Sequence, residues 1–250
     1  MASADPSTPL RPGLLDGVRV VVAGASSDGA GDASVAASAL AALGARVALC
    51  RLEATAELAL DEAAAQEQAV EQAALHALAE LDGGAEALVV HAASLFGSAA
   101  SADGASRLGG GGAGAVACAD VGVGAGVGVG AGAHEPLMRS LQTSWTVTRA
   151  IANAAFIPDA RGGRVALVAP ADDAAAAGLE NLARTLATEW ARYAVTTVAI
   201  APGERTAPGE LATVLAYLAS PAGAYFSGCL LDLRGVQRRA GAAPGNRRVS

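Results

Sequence analysis

Short β-branched runs alternate with longer Ala/Leu-rich stretches along this chain, and the alternation predicts its elements. Residues 18–23 (VRVVVA) are apolar almost without interruption, as in a strand covered on both faces. A glycine turn follows, Gly24-Ala-Ser-Ser-Asp-Gly29-Ala-Gly31, then an expected helix over 32–43 ended by Gly44, and a second strand over 46–50 (RVALC). Residues 54–81 are strong helix formers with apolar positions near Leu58, Ala65, Ala69, Leu75, Leu78 and Leu81. Further strands are expected over 87–91 (ALVVH), 164–169 (RVALVA), 196–201 (TTVAIA) and 229–233, separated by helices over 137–155, 174–193 and 210–219. Strands alternating with helices imply an α/β protein: a Rossmann-type doubly wound parallel sheet in three αβα layers.

One element is out of place. A usual doubly wound fold has a helix and a third strand before the helix of 54–81, and a parallel crossover needs a dozen or more residues. The space is too short, so either residues 56–60 are a stub of that strand or it has been lost. The domain plan is a flexible Pro-rich arm over 1–16, one domain over 17–236 and a disordered tail over 237–250. Residues 97–135, with GGGGAGA and GVGAGVGVGAGA, are low complexity and expected to be largely disordered, because so few large side chains cannot offset chain entropy.

Composition narrows the function. Apolar residues make up 52% of the 250 but aromatics only 3%, so the core must be built from Ala, Val and Leu. A net charge of −7 argues against a nucleic-acid footprint, and the arginines of the tail (Arg238, Arg239, Arg247, Arg248) lie among Gly, Ala and Pro. Three scattered cysteines and three histidines offer neither a disulfide framework nor zinc spacing. No signal pattern and no run of membrane-spanning length is present, so a cytoplasmic protein without a membrane partner is expected. All 17 basic side chains are arginine; there is no lysine.

Three stretches resemble the short-chain dehydrogenase/reductase family. Residues 177–203 (AGLENLARTLATEWARYAVTTVAIAPG) are similar to its catalytic helix and following strand, ending in Pro202-Gly203. Residues 217–233 (YLASPAGAYFSGCLLDL) resemble its last helix and strand, and 145–150 (WTVTRA) the middle of its fourth helix. The matches cover most of the chain except 51–86, 97–135 and the two tails. The resemblance implies a Tyr-x-x-x-Lys pair, in which tyrosine is the acid/base and lysine lowers its pKa. Here the lysine position falls on Ala176, the tyrosine on Asp172, the serine near Pro170 and the supporting asparagine on Ser140. A carboxylate and a methyl cannot take over those roles. Both loops that would cover a substrate are short.

At the cofactor end the resemblance implies NADP or NAD, held by Gly24, Ser26, Gly29, Gly31, Arg51, His91, Pro202 and Gly203. Glycines in that turn permit close approach to a pyrophosphate at a helix N-terminus. Arg51 occupies the place that often reads the adenosine ribose, where a guanidinium favours a 2′-phosphate; it reads equally as a solvated arginine at a strand end. Asp28 and Asp32 oppose a phosphate there, and Asp32 reads equally as an N-cap. His91-Ala-Ala-Ser94 replaces the family's Asn-Ala-Gly.

Three readings follow. The first is a catalytically inactive member acting as a scaffold or subunit, in a homo-oligomer or a hetero-oligomer with an active relative. In the family the helices corresponding to 137–155 and 174–193, and the 210–233 segment, form the interfaces. The second is an active oxidoreductase with relocated chemistry on Asp172, Asp173, His91 or Thr206, and the third an NADP(H)-sensing regulator.

Overall fold

A computed structural model describes residues 10–25, 32–52, 60–96, 134–203 and 205–235. Six strands form one parallel sheet: β1 (Arg19–Ala25), β2 (Arg46–Leu52), β3 (Ala87–His91), β4 (Gly163–Val168), β5 (Val195–Ala201) and β6 (Cys229–Asp232). Their order is β2-β1-β3-β4-β5-β6. Val20, Val21, Val22 and Ala23 are wholly buried, as a strand covered on both faces demands.

Five helices cover the sheet: α1 (Asp32–Ala42), α2 (Leu60–Ala79), α3 (His134–Ile151), α4 (Asp173–Glu189) and α5 (Pro208–Ala219). Alternate residues of each strand serve the two layers. Val21, Leu88 and Leu167 meet α2, α3 and α4 on one face, while Val20, Val89 and Val168 meet α1 and α5 on the other. The three-layer αβα Rossmann-type fold expected from the pattern is thus the one observed. Among the described residues no strand flanks β2 on its outer side. The chain enters α2 at Leu60, and residues 53–59, which hold all but the last of the 56–60 stretch read as a stub or a lost strand, lie outside the described residues.

The boundaries depart from expectation where tertiary contacts set them. Residues 10–16 are not a free arm: Leu15 is fully buried, its N–H donates to the Leu43 carbonyl at 3.0 Å, and Leu10 and Leu14 pack beside it. Burial of those leucines starts the core ahead of residue 17. His134 and Glu135, assigned to the low-complexity segment, open α3; residues 97–133 and the tail over 236–250 lie outside the described residues. Past Ile151 that helix widens into a π-turn, Ala152–Phe156, which turns the Phe156 ring into the core. Gly163 makes room for the ring, since a Cβ there would stand 2.4 Å from it. Gly44 ends α1 in the left-handed region at φ +102°.

Candidate functional site

Two neighbouring places at the carboxyl ends of the strands carry the candidate residues. The first lies between β1 and β3. From β1 the chain leaves toward β2, from β3 it leaves toward β4, and ligands of open α/β sheets bind at such a switch point. Gly24 and Arg51 are register partners here, Arg51 being exposed at the end of β2. Gly24 is required by packing: a Cβ would fall 2.7 Å from the Ala33 methyl, 3.0 Å from Ser94 Oγ and 3.4 Å from His91 Cβ. His91, last residue of β3, is 1% exposed. Ser26, Gly29 and Gly31 lie outside the described residues, as does Asp28; Asp32 is the first residue of α1.

Ser94 ties the carboxyl ends of β1 and β3 together at this point. Its Oγ accepts the Ala25 N–H at 3.0 Å and donates to the His91 carbonyl at 2.7 Å. It sits on a helical turn over 92–96, directly after β3. Sequence reasoning noted Ser94 only as a departure from Asn-Ala-Gly; the signal was a hydroxyl three residues past a buried strand end. Ser140 lies close by on α3, 2% exposed, and its Oγ donates to the Ala92 carbonyl at 3.3 Å.

The second place is a cleft of about 310 Å³ lined by Pro170, Ala171, Asp172, Asp173, Pro202, Gly203, Arg205 and Arg234. Only four residues separate Val168, the end of β4, from Asp173, the start of α4. Asp172 is the N-cap of that helix, and its Oδ1 accepts the Ala175 N–H at 2.8 Å. Ala176, one turn on, is 4% exposed and packs in the core, so its methyl faces away from solvent. The structure thus gathers Pro170, Asp172, Pro202 and Gly203 at one cleft, and puts Ser140 and Ala176 into structural contacts.

The charge array at this cleft was not legible in the sequence. Arg234 Nη1 bonds Asp173 Oδ1 at 2.6 Å, while its Nε and Nη2 grip the two oxygens of Asp232 at 2.9 Å. Those bonds hold the Asp232 carboxyl down at about 2. Gly203 lies against this strap, for a Cβ would stand 2.9 Å from Arg234 Cα. Among the described residues no phenol, amine, thiol or imidazole lines the cleft; the charged side chains there are carboxylates and guanidiniums. Such a lining can bind charge, but it offers no hydroxyl or ammonium to a carbonyl. Among the described residues no group of His, Cys, Asp and Glu could hold a metal ion, and no helix is long and apolar enough to cross a membrane.

No family model matches the sequence, and no curated protein matches it. Solved structures do match the fold. A hydroxysteroid dehydrogenase from Escherichia coli is 17% identical with a TM-score of 0.57, over 89% of this chain and 98% of that one. A short chain dehydrogenase from Mycobacterium smegmatis is 19% identical, TM-score 0.56, over 94% and 98%. A short-chain type dehydrogenase/reductase from Mycobacterium marinum is 19% identical, TM-score 0.55, over 88% and 95%. With its parallel sheet, its helical layers and almost the full length of these structures matched, this chain has the fold of the short-chain dehydrogenases/reductases.

Proposed function

We propose that this protein is a short-chain dehydrogenase/reductase-fold subunit without that family's proton-transfer chemistry, working through association with a second copy or with an active relative. One observation carries the reading: Asp172 and Ala176, at the tyrosine and lysine positions, are committed to an N-cap and to the core. Two exposed apolar side chains mark the surfaces for association, Met138 on α3 at 47% exposure and Tyr225 before β6 at 91%. Trp145 and Phe226 are half-buried, Trp145 stacked on Trp190 at 6.2 Å and Phe226 edge-on to Tyr217 at 5.9 Å. Light scattering on the purified chain, with a pull-down from the native host, tests this. We expect a stable oligomer that Met138→Glu or Tyr225→Ser weakens, and no hydride transfer to a carbonyl panel. A strictly monomeric chain that captures no relative, or NAD(P)H-dependent turnover, would sink the reading.

Arg51 favours a second reading, a binder of NADP(H) that does not turn it over. Its guanidinium stands exposed beside Gly24 at the switch point, where a 2′-phosphate would lie. The Ser94 bond already occupies the Ala25 N–H, so fewer backbone donors remain for a pyrophosphate. Fluorescence titration with NADPH and NADH separates the readings: NADPH preference lost in Arg51→Gln supports the second, and binding of neither removes it.

A further inference from the structure

Two opposite charges stand unmated in the cleft, and they face one space. Arg205 lines it from the turn after β5, is exposed, and makes no ion pair among the described residues. Asp172 lines it from the start of α4; its cap bond goes to a backbone N–H, and no cation pairs with it among the described residues. The other two charged groups, Asp173 and Arg234, neutralise each other at 2.6 Å, with Asp232 taking up the rest of the Arg234 fork. Among the described residues, one guanidinium and one carboxylate remain across the cleft.

One pole is fixed by a backbone bond, and the turn that carries the other is closed on itself. Asp172 is fixed by its cap bond. The Arg205 turn is closed by two reciprocal bonds, Gly203 N–H to Thr206 Oγ1 and Thr206 N–H to the Gly203 carbonyl, each 2.9 Å. Arg205 and Asp172 therefore share a cleft without collapsing into a bridge. A ligand with one charge would satisfy one pole and set its charge against the other; an uncharged ligand would strip water from both. Only a molecule with the complementary pair satisfies the two together. Pro170, Ala171 and Pro202 offer apolar surface between them. At about 310 Å³ the space lies at the small end of ligand sites.

We propose that this cleft binds a small zwitterion, an amine and a carboxylate or phosphate on a short apolar spacer, with the anionic end on Arg205 and the ammonium on Asp172. Neither Met138 nor Tyr225 lines the cleft, so ligand binding and association are read by separate variants.

Calorimetric titration of the full chain tests it, with β-alanine and γ-aminobutyrate as probes against propionate, butyrate and butylamine at matched ionic strength. At least one zwitterion is expected to bind about tenfold tighter than its singly charged counterparts, as for one added charge-assisted bond. Arg205→Gln and Asp172→Asn should each erase that preference. Asparagine caps a helix as well as aspartate, so Asp172→Asn should keep its thermal transition and separate ligand contact from folding. Butyrate or butylamine binding as tightly as γ-aminobutyrate, an unchanged preference in Asp172→Asn, or no heat from either zwitterion at about 10 mM would overturn the proposal.

Discussion

Cys50, near the end of β2, has its thiol pushed up to about 12 by burial. A buried thiol that stays protonated is neither a nucleophile nor a ready target for alkylation. Native protein treated with iodoacetamide near pH 8 should leave Cys50 unmodified, and denaturant should expose it; peptide mass mapping reads both states. Labelling of Cys50 under native conditions would mean that the sheet edge opens. Single residues were also where the sequence was least legible. Gly24 announced a turn, but its need for room against Ala33 and Ser94 exists only once α1 and the 92–96 turn are docked. The resemblance set Asp172 where a tyrosine is expected, and nothing in the spacing said that its carboxylate would cap α4.

Between elements, α3 and α4 approach each other closely in the helical layer. A Cβ on Gly178 would stand 2.9 Å from Leu141 Cδ1, and the Trp145 and Trp190 rings stack 23° from parallel beside them. Gly178→Val should overpack this seam and cost about 1–3 kcal/mol, measured as a lower urea midpoint at constant slope. Adding Leu141→Ala should recover part of that loss, because the two side chains compete for one volume. The strands were readable because a parallel sheet covered on both faces leaves runs such as 18–23 and 196–201 apolar. Helix ends were not. The widening at Ala152–Phe156 answers to a ring seated over Gly163, on another element.

Across the whole molecule, one ion pair ties the amino ends of β1 and β3. Arg19 Nη2 meets Glu86 Oε1 at 2.6 Å, and the Arg19 N–H reaches Oε2 at 2.7 Å. Burial alone would raise the Glu86 carboxyl, but its bonds to Arg19 and the Arg19 charge bring it below the usual carboxylate range. With the folded value below the unfolded one, the pair stabilises above about pH 4.5 and fades as pH falls through the folded value. Unfolding midpoints should therefore drop in that acid window, and Glu86→Gln should flatten the drop. The half-exposed position keeps the neutral-pH effect to about 1 kcal/mol or less. The order of strands and helices made the fold class legible, because alternating elements leave few topologies open. The cleft's charges were not: Asp173, Arg205 and Arg234 are 61 positions apart at their extremes and meet only through the sheet.

The Ser94 hydroxyl spans 69 positions to reach Ala25. Closing so long a loop must be done before the pairing on that side of β1 is rewarded. During synthesis the first strand is therefore an apolar ribbon with one neighbour still unmade, and it stays so until the chain has been extended beyond residue 94. The seam between β1 and β3 is then closed by a residue that lines no part of the cleft.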